Sequence, residues 1–129
     1  MASNGGICID FKQAKAPVAA PGAEGAASVD DCLRRYAYSL ASARDDAGTV
    51  AEAAVAACST QLTRWNQQAL NQPGGEVEAM SLATGQPTTP IAEHSNYAAS
   101  RALFYVVQSR AGSCAPPPAK DGTPEGVSG

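Results

Sequence analysis

The sequence predicts an all-α protein: an antiparallel helical hairpin plus a third helix, with extended Pro/Ala/Gly-rich arms at both termini. Three observations carry that reading. Apolar residues recur at spacings of three and four through residues 29–43, 49–71 and 90–110. Helix-start and helix-stop residues bracket each of those segments. The stretches 14–27 (AKAPVAAPGAEGAA) and 111–129 (AGSCAPPPAKDGTPEGVSG) carry too few large apolar side chains to offset an ordering entropy of about 1–2 kcal/mol per residue. The domain organisation is therefore an arm at 1–27, a small helical domain at 28–112, and a flexible or partner-ordered tail at 113–129.

In the first arm, Ile7, Ile9 and Phe11 alternate with Cys8, Asp10 and Lys12, the period of a short strand over 7–11. Followed as it is by AKAPVAAPG, the segment reads better as an extended arm lying in a groove or on a sheet edge. Ser28 can cap the first helix, with Asp30 and Asp31 in its first turn, where the helix dipole favours negative charge. Cys32, Leu33, Tyr36, Ala37 and Leu40 form its apolar stripe, while Arg34, Arg35, Ser39 and Ser42 face away. Asp45-Asp46-Ala47-Gly48 is turn chemistry. Thr49-Val-Ala-Glu52 is a capping box that starts a second helix there or within one turn before it.

That second helix carries the stripe Val50, Ala54, Cys58, Leu62, Trp65 and Ala69 as far as about Asn71, and Pro73-Gly74-Gly75 stops it. A long connection with a short turn near Val77–Leu82 follows. Thr89-Pro90, a cap and a proline at the first helical position, opens the third helix. Ile91, Ala98, Ala102, Tyr105 and Val106 fall on one side of it. Its segment ALFYVV, residues 102–107, is apolar all round, so a strand is compatible with composition alone. As a helix, such a turn is buried on two sides. In so small a chain that points to a subunit interface made by Leu103, Phe104, Tyr105, Val106 and Val107, with Trp65 as the largest anchor.

The core has to be modest. Hydrophobic residues make up 44% of the chain, but alanine dominates them, and there are only two Phe, one Trp and four Tyr. A domain this thinly filled calls for a staple or a partner. The cysteines supply a candidate. In an antiparallel hairpin turning at Asp45–Gly48, Cys32 and Cys58 each lie about a dozen residues from the turn, roughly 15–18 Å along either helix. Both sit on apolar stripes, and a bridge between them would close a loop of about 27 residues. That geometry favours Cys32–Cys58 among the three possible pairings and leaves Cys8 and Cys114 to join the arms or stay free. In a reducing compartment, Cys32 and Cys58 would instead be small buried hydrophobes.

The segment VDDCLRRYAYSLASARDDAGTVAEAAVAAC, with its continuation STQLTRWNQQ, resembles small uncharacterised bacterial proteins. These have a Cys–x3–aromatic helix followed by a Val/Ala-rich helix ending in Ala-Cys, usually after a secretory leader. The resemblance spans about 40 of the 129 residues. It implies a disulfide-linked helical hairpin and no particular activity, and the chain departs from it in having Cys8 and Cys114 in its arms and no leader.

Several chemistries fit poorly. A net charge of −3 with arginines scattered at 34, 35, 44, 64, 101 and 110 offers no nucleic-acid footprint. No apolar run approaches the ~18–20 residues needed to span a bilayer. Zinc would need closely spaced cysteines, yet they are remote and His94 is the one histidine. Activation of Cys32 or Cys58 by His94 is disfavoured by alanine neighbours, which raise a thiol's pKa. The pairs Asp30/Asp31 and Asp45/Asp46 stand where helix starts and turns want acids, and the glycines in NGGICID and GQPTTP lack a phosphate-loop lysine. Arg34-Arg35 can grip an anionic partner but reads more simply as a solvated helix face.

The expectation is thus a non-enzymatic structural or interaction protein, with no cofactor, whose partners are copies of itself or other subunits of an assembly such as a virion or other multi-subunit particle. The alternative is a small exported protein, periplasmic or secreted, stapled by a disulfide and binding an envelope partner. MASNGGICIDFKQAKAP lacks the cationic start and long apolar run of a signal peptide. That implies cytoplasmic synthesis or a virion, or a periplasmic or extracellular site if a leader has been removed.

Overall fold

Four helices and two very short hairpins make up the structure, a computed structural model that describes residues 7–11, 24–72, 79–81 and 84–127. Helix α1 runs Glu24–Leu40. It begins a turn earlier than Ser28, which lies inside it rather than capping it. Ala26 and Ala27 are helix-permissive, and Gly25 is seated directly on α3. A Cβ at Gly25 would come within 2.6 Å of the Trp65 ring, so only glycine lets α1 approach that closely. The helix also ends earlier than expected, at Leu40. The carbonyls of the turn that follows are collected by Arg110, which donates from Nε to Ala41 O (2.9 Å) and from Nη2 to Ala43 O (2.8 Å) and Asp45 O (2.7 Å).

Helix α2 spans Ala47–Ala57 and is capped by Asp46, whose carboxylate accepts from the Thr49 backbone N–H and hydroxyl at 3.1 and 2.8 Å. Helix α3 spans Ser59–Leu70. The two replace the single helix expected over 49–71. Cys58 leaves helical geometry between them, at φ −100° and ψ 20°, and that break falls on the residue bonded to α1. Helix α4, Pro90–Gly112, matches the expected third helix closely, with Thr89 accepting from Ala92 N–H and Pro90 in the first turn.

Strands β1 (Ala79–Met80) and β2 (Pro87–Thr88) pair antiparallel, as do β3 (Ala119–Lys120) and β4 (Thr123–Pro124). Half of the turn expected near Val77–Leu82 (residues 77, 78 and 82), and residues 12–23 of the first arm, lie outside the described residues. The tail departs from expectation. Residues 113–127, read as flexible or partner-ordered, fold back onto α1. Asp121 and Gly122, both at positive φ, turn β3 into β4. Pro117 and Pro124 are buried, and Val127 reaches the core.

Arg35 anchors this tail. Instead of facing solvent it is buried, paired with Asp31 at 2.9 Å, and donates to Glu125 O at 2.6 Å. Its guanidinium also lies 4.9 Å from the Phe11 ring centre, so one side chain touches both arms. Residues 7–11 form turns rather than the short strand considered, because a side chain and a disulfide, not a neighbouring strand, hold them.

α4 packs against the other three helices. The core joins Val29, Cys32, Leu33, Ala37 and Tyr38 of α1, Val50, Ala51 and Ala54 of α2, and Ala98, Ala102, Tyr105 and Val106 of α4. Alanines at the contacts bring the helices close, which is how a chain poor in large apolar residues still encloses a core.

Candidate functional site

Helix α4 is apolar on two faces, and only one is covered. Tyr105 and Val106 point inward and are fully buried, so they belong to the core and not to the interface expected of them. α1 and α2 supply the neighbours that enclose them. Leu103, Phe104 and Val107 point outward at 42, 51 and 50% exposure. With Ala99 and Ala111, Leu103 and Val107 form one exposed ridge at four-residue spacing, Ala99-Leu103-Val107-Ala111. The ridge carries no charge. Of the cations nearest it in sequence, Arg110 is engaged with the carbonyls that follow α1, and Arg101 pairs with Asp30 at 2.9 Å while its guanidinium lies 5.6 Å from the Phe104 ring centre. Three large apolar side chains together on an exposed helix face mark a contact surface.

Beneath that helix lies a polar cluster which sequence reading did not find. The Tyr105 hydroxyl donates to Asp30 Oδ1 at 2.7 Å, Arg101 Nε donates to the same oxygen, and Arg101 Nη2 donates to the Tyr105 hydroxyl. Arg34 stacks over the Tyr105 ring at 4.4 Å. Burial, followed by the Asp30 hydrogen bond and charge, pushes the Tyr105 hydroxyl up to about 12. Burial and Asp30 likewise raise Tyr97. Burial opposes the charge on Arg101, but its bonds to Asp30 and Tyr105 outweigh that and raise it. Tyr97 and Tyr105 are thus held protonated and Arg101 charged at neutral pH, which suits a structural lock.

Trp65, the expected interface anchor, is spent within the chain. Its indole stacks on His94 with centroids 3.5 Å apart and planes 8° from parallel, and meets Tyr97 edge-on at 5.4 Å. His94 Nδ1 is 2.7 Å from Asn66 Oδ1; an amide oxygen only accepts, so the ring donates there. Burial lowers the His94 pKa below its ordinary 6.5, leaving the imidazole neutral. The unfolded chain therefore binds a proton at a higher pH than the folded one. Stability contributed by this site is complete above about pH 6.5 and falls as pH drops through the folded-state value. Urea midpoints taken from pH 7.5 to 5 should decline, and His94→Phe, which keeps the stack and cannot titrate, should decline less steeply. Parallel declines would remove His94 as the cause.

All four cysteines are bridged, Cys8 to Cys114 and Cys32 to Cys58. Two disulfides in one small chain fit an oxidising, exported setting. In that state no thiol is available to pair with His94. Among the described residues, no group of His, Cys, Asp and Glu has the arrangement of a metal site, and no helix is long and apolar enough to cross a membrane. No family model, curated protein or solved structure matches this chain.

Proposed function

We propose that this chain is a non-enzymatic interaction protein of an oxidising, exported compartment, and that it pairs with a second copy of itself through the outer face of α4. The observation that carries this is the exposed ridge Ala99-Leu103-Val107-Ala111, flanked by Phe104. Its order of sizes is small, large, large, small, which reads the same from either end. An antiparallel two-fold crossing centred at Tyr105 sets Leu103 against Val107 of the second copy and Ala99 against Ala111. Four-residue ridges interdigitate at about −50°, and no charge on the ridge opposes the approach.

The magnitude favours a weak, reversible pair. Covering the exposed halves of three large apolar side chains on each copy gives roughly 5–9 kcal/mol, against an association cost of about 4–15 kcal/mol. A subunit of a virion or other multi-subunit particle is the second reading. It is less favoured because the described part of the carboxy-terminal tail packs on its own α1 instead of being free for neighbours.

Sedimentation equilibrium from roughly 10 µM to 1 mM covers the range of such an interface. The weight-average mass should climb from 13.1 kDa toward twice that value. The double variant Leu103→Glu, Val107→Glu should stay monomeric with unchanged helix content. A wild-type chain that is monomeric at the top of the range would overturn the pairing.

A further inference from the structure

The two disulfides are shielded unequally. Cys32 and Cys58 are each 1% exposed, inside the cluster formed by Val29, Leu33 and Ala54. Cys8 is half-buried beside Ile7, itself 49% exposed; Cys114, at 9% exposure, lies at the edge of the same cluster and borders an open cleft of about 380 Å³ that is also lined by Tyr38, Ser39, Ser109 and Arg110.

The segment that Cys8 fastens is held lightly. Ile9 N–H donates to the Tyr38 hydroxyl at 3.4 Å, and Phe11 meets the Tyr38 ring edge-on at 5.3 Å and the Arg35 guanidinium face. Ile7 and Cys8 rest on Gly112, where any Cβ would come within 2.9 Å of both. The segment has no backbone ladder of its own.

We infer that residues 7–11 form a redox-released strap across the seam of α1 and α4: an external low-molecular-weight thiol opens Cys8–Cys114 first, and the strap leaves while Cys32–Cys58 keeps the helical body closed. In the reaction an external thiolate attacks one sulfur of the bridge and forms a mixed disulfide. The other cysteine departs as a thiolate and takes a proton from water. A second external thiol then attacks the mixed disulfide and releases the remaining cysteine as a thiol. Two external thiols are oxidised to one disulfide, and one protein bridge is reduced to two thiols. Attack on Cys32–Cys58 requires the core to open beforehand, so it is slower. Release uncovers the Tyr38 ring beside the cleft and the face of the Arg35 guanidinium that Phe11 covered.

The test incubates the folded full chain with reduced glutathione under native conditions, quenches by alkylation, and follows intact mass with peptide mapping. A species alkylated at Cys8 and Cys114 alone should form at least about tenfold faster than any species alkylated at Cys32 or Cys58. Opening of Cys32–Cys58 first, or at a similar rate, would overturn the order. The double variant Cys8→Ser, Cys114→Ser tests the strap without reductant. Amide exchange at residues 9–11 should rise at least about tenfold while the α1 and α4 amides hold. Unchanged protection at 9–11 would show that the bridge is not what retains the strap.

Discussion

Replacing Cys32 and Cys58 together by alanine lowers the stability of this protein by roughly 3–4 kcal/mol, the entropy that a loop of about 27 residues regains when its cross-link is cut. Against a total of about 5–15 kcal/mol for a protein of this kind, such a loss moves the urea midpoint far down. The bridge joins the middle of α1 to the break between α2 and α3, at the centre of the core. Cutting it frees the unfolded chain and leaves the folded helices in place, so the whole difference is felt. The same relation assigns Cys8–Cys114, with its separation of 106, a still larger value. That value is not expected in full, because a strap freed from α4 gains entropy in the folded state as well. The Cys8→Ser, Cys114→Ser variant should therefore lose less stability than the Cys32/Cys58 variant, despite its longer loop. Urea titrations followed by far-UV circular dichroism compare the two, and the reverse order would contradict this assignment of roles.

Tyr105→Ala should cost about 3–5 kcal/mol, the range for emptying a large aromatic site. Tyr105 is fully exposed to neighbours on every side and to none of the solvent: its ring lies under Arg34, against Arg101 and within the α1–α2–α4 core, and its hydroxyl ties α4 to Asp30 of α1. Tyr105→Phe separates the two contributions. It keeps the packed ring and removes one hydrogen bond to a carboxylate that Arg101 still holds, so about 1–2 kcal/mol is expected. Thermal or urea unfolding of both variants distinguishes ring from hydroxyl. Equal losses would mean that the polar lock, and not packing, is the larger part of this contact.

How far the chain can be read from its sequence follows from where the determining groups lie. α4 was legible nearly end to end, because Thr89-Pro90 starts it and its inner residues repeat at helical spacing. The orientation of ALFYVV was not legible. An all-round apolar turn gives no direction of its own, and only the positions of α1 and α2 decide that Tyr105 and Val106 go in while Leu103, Phe104 and Val107 stay out. Arg35 reads as a solvated residue within α1, since the carbonyl that buries it stands 90 positions away. The break at Cys58 has no glycine or proline to announce it. The carboxy-terminal hairpin left one clue, Asp121-Gly122, but strands of two residues each are too short to form a visible alternation around it. The Asp30 cluster was missed for a similar reason: an acid in the first turns of a helix already has a local explanation, and its partners Arg101 and Tyr105 come from a distant helix.

The central claim is that two disulfides of fixed pairing fasten this helical body. Digestion of the native, non-reduced protein after alkylation, with the fragments weighed before and after reduction, tests it directly. The expected result is no alkylated cysteine, one linked fragment pair containing Cys32 and Cys58, and another containing Cys8 and Cys114. Alkylation at Cys32 or Cys58, or a fragment joining either of them to Cys8 or Cys114, would contradict it.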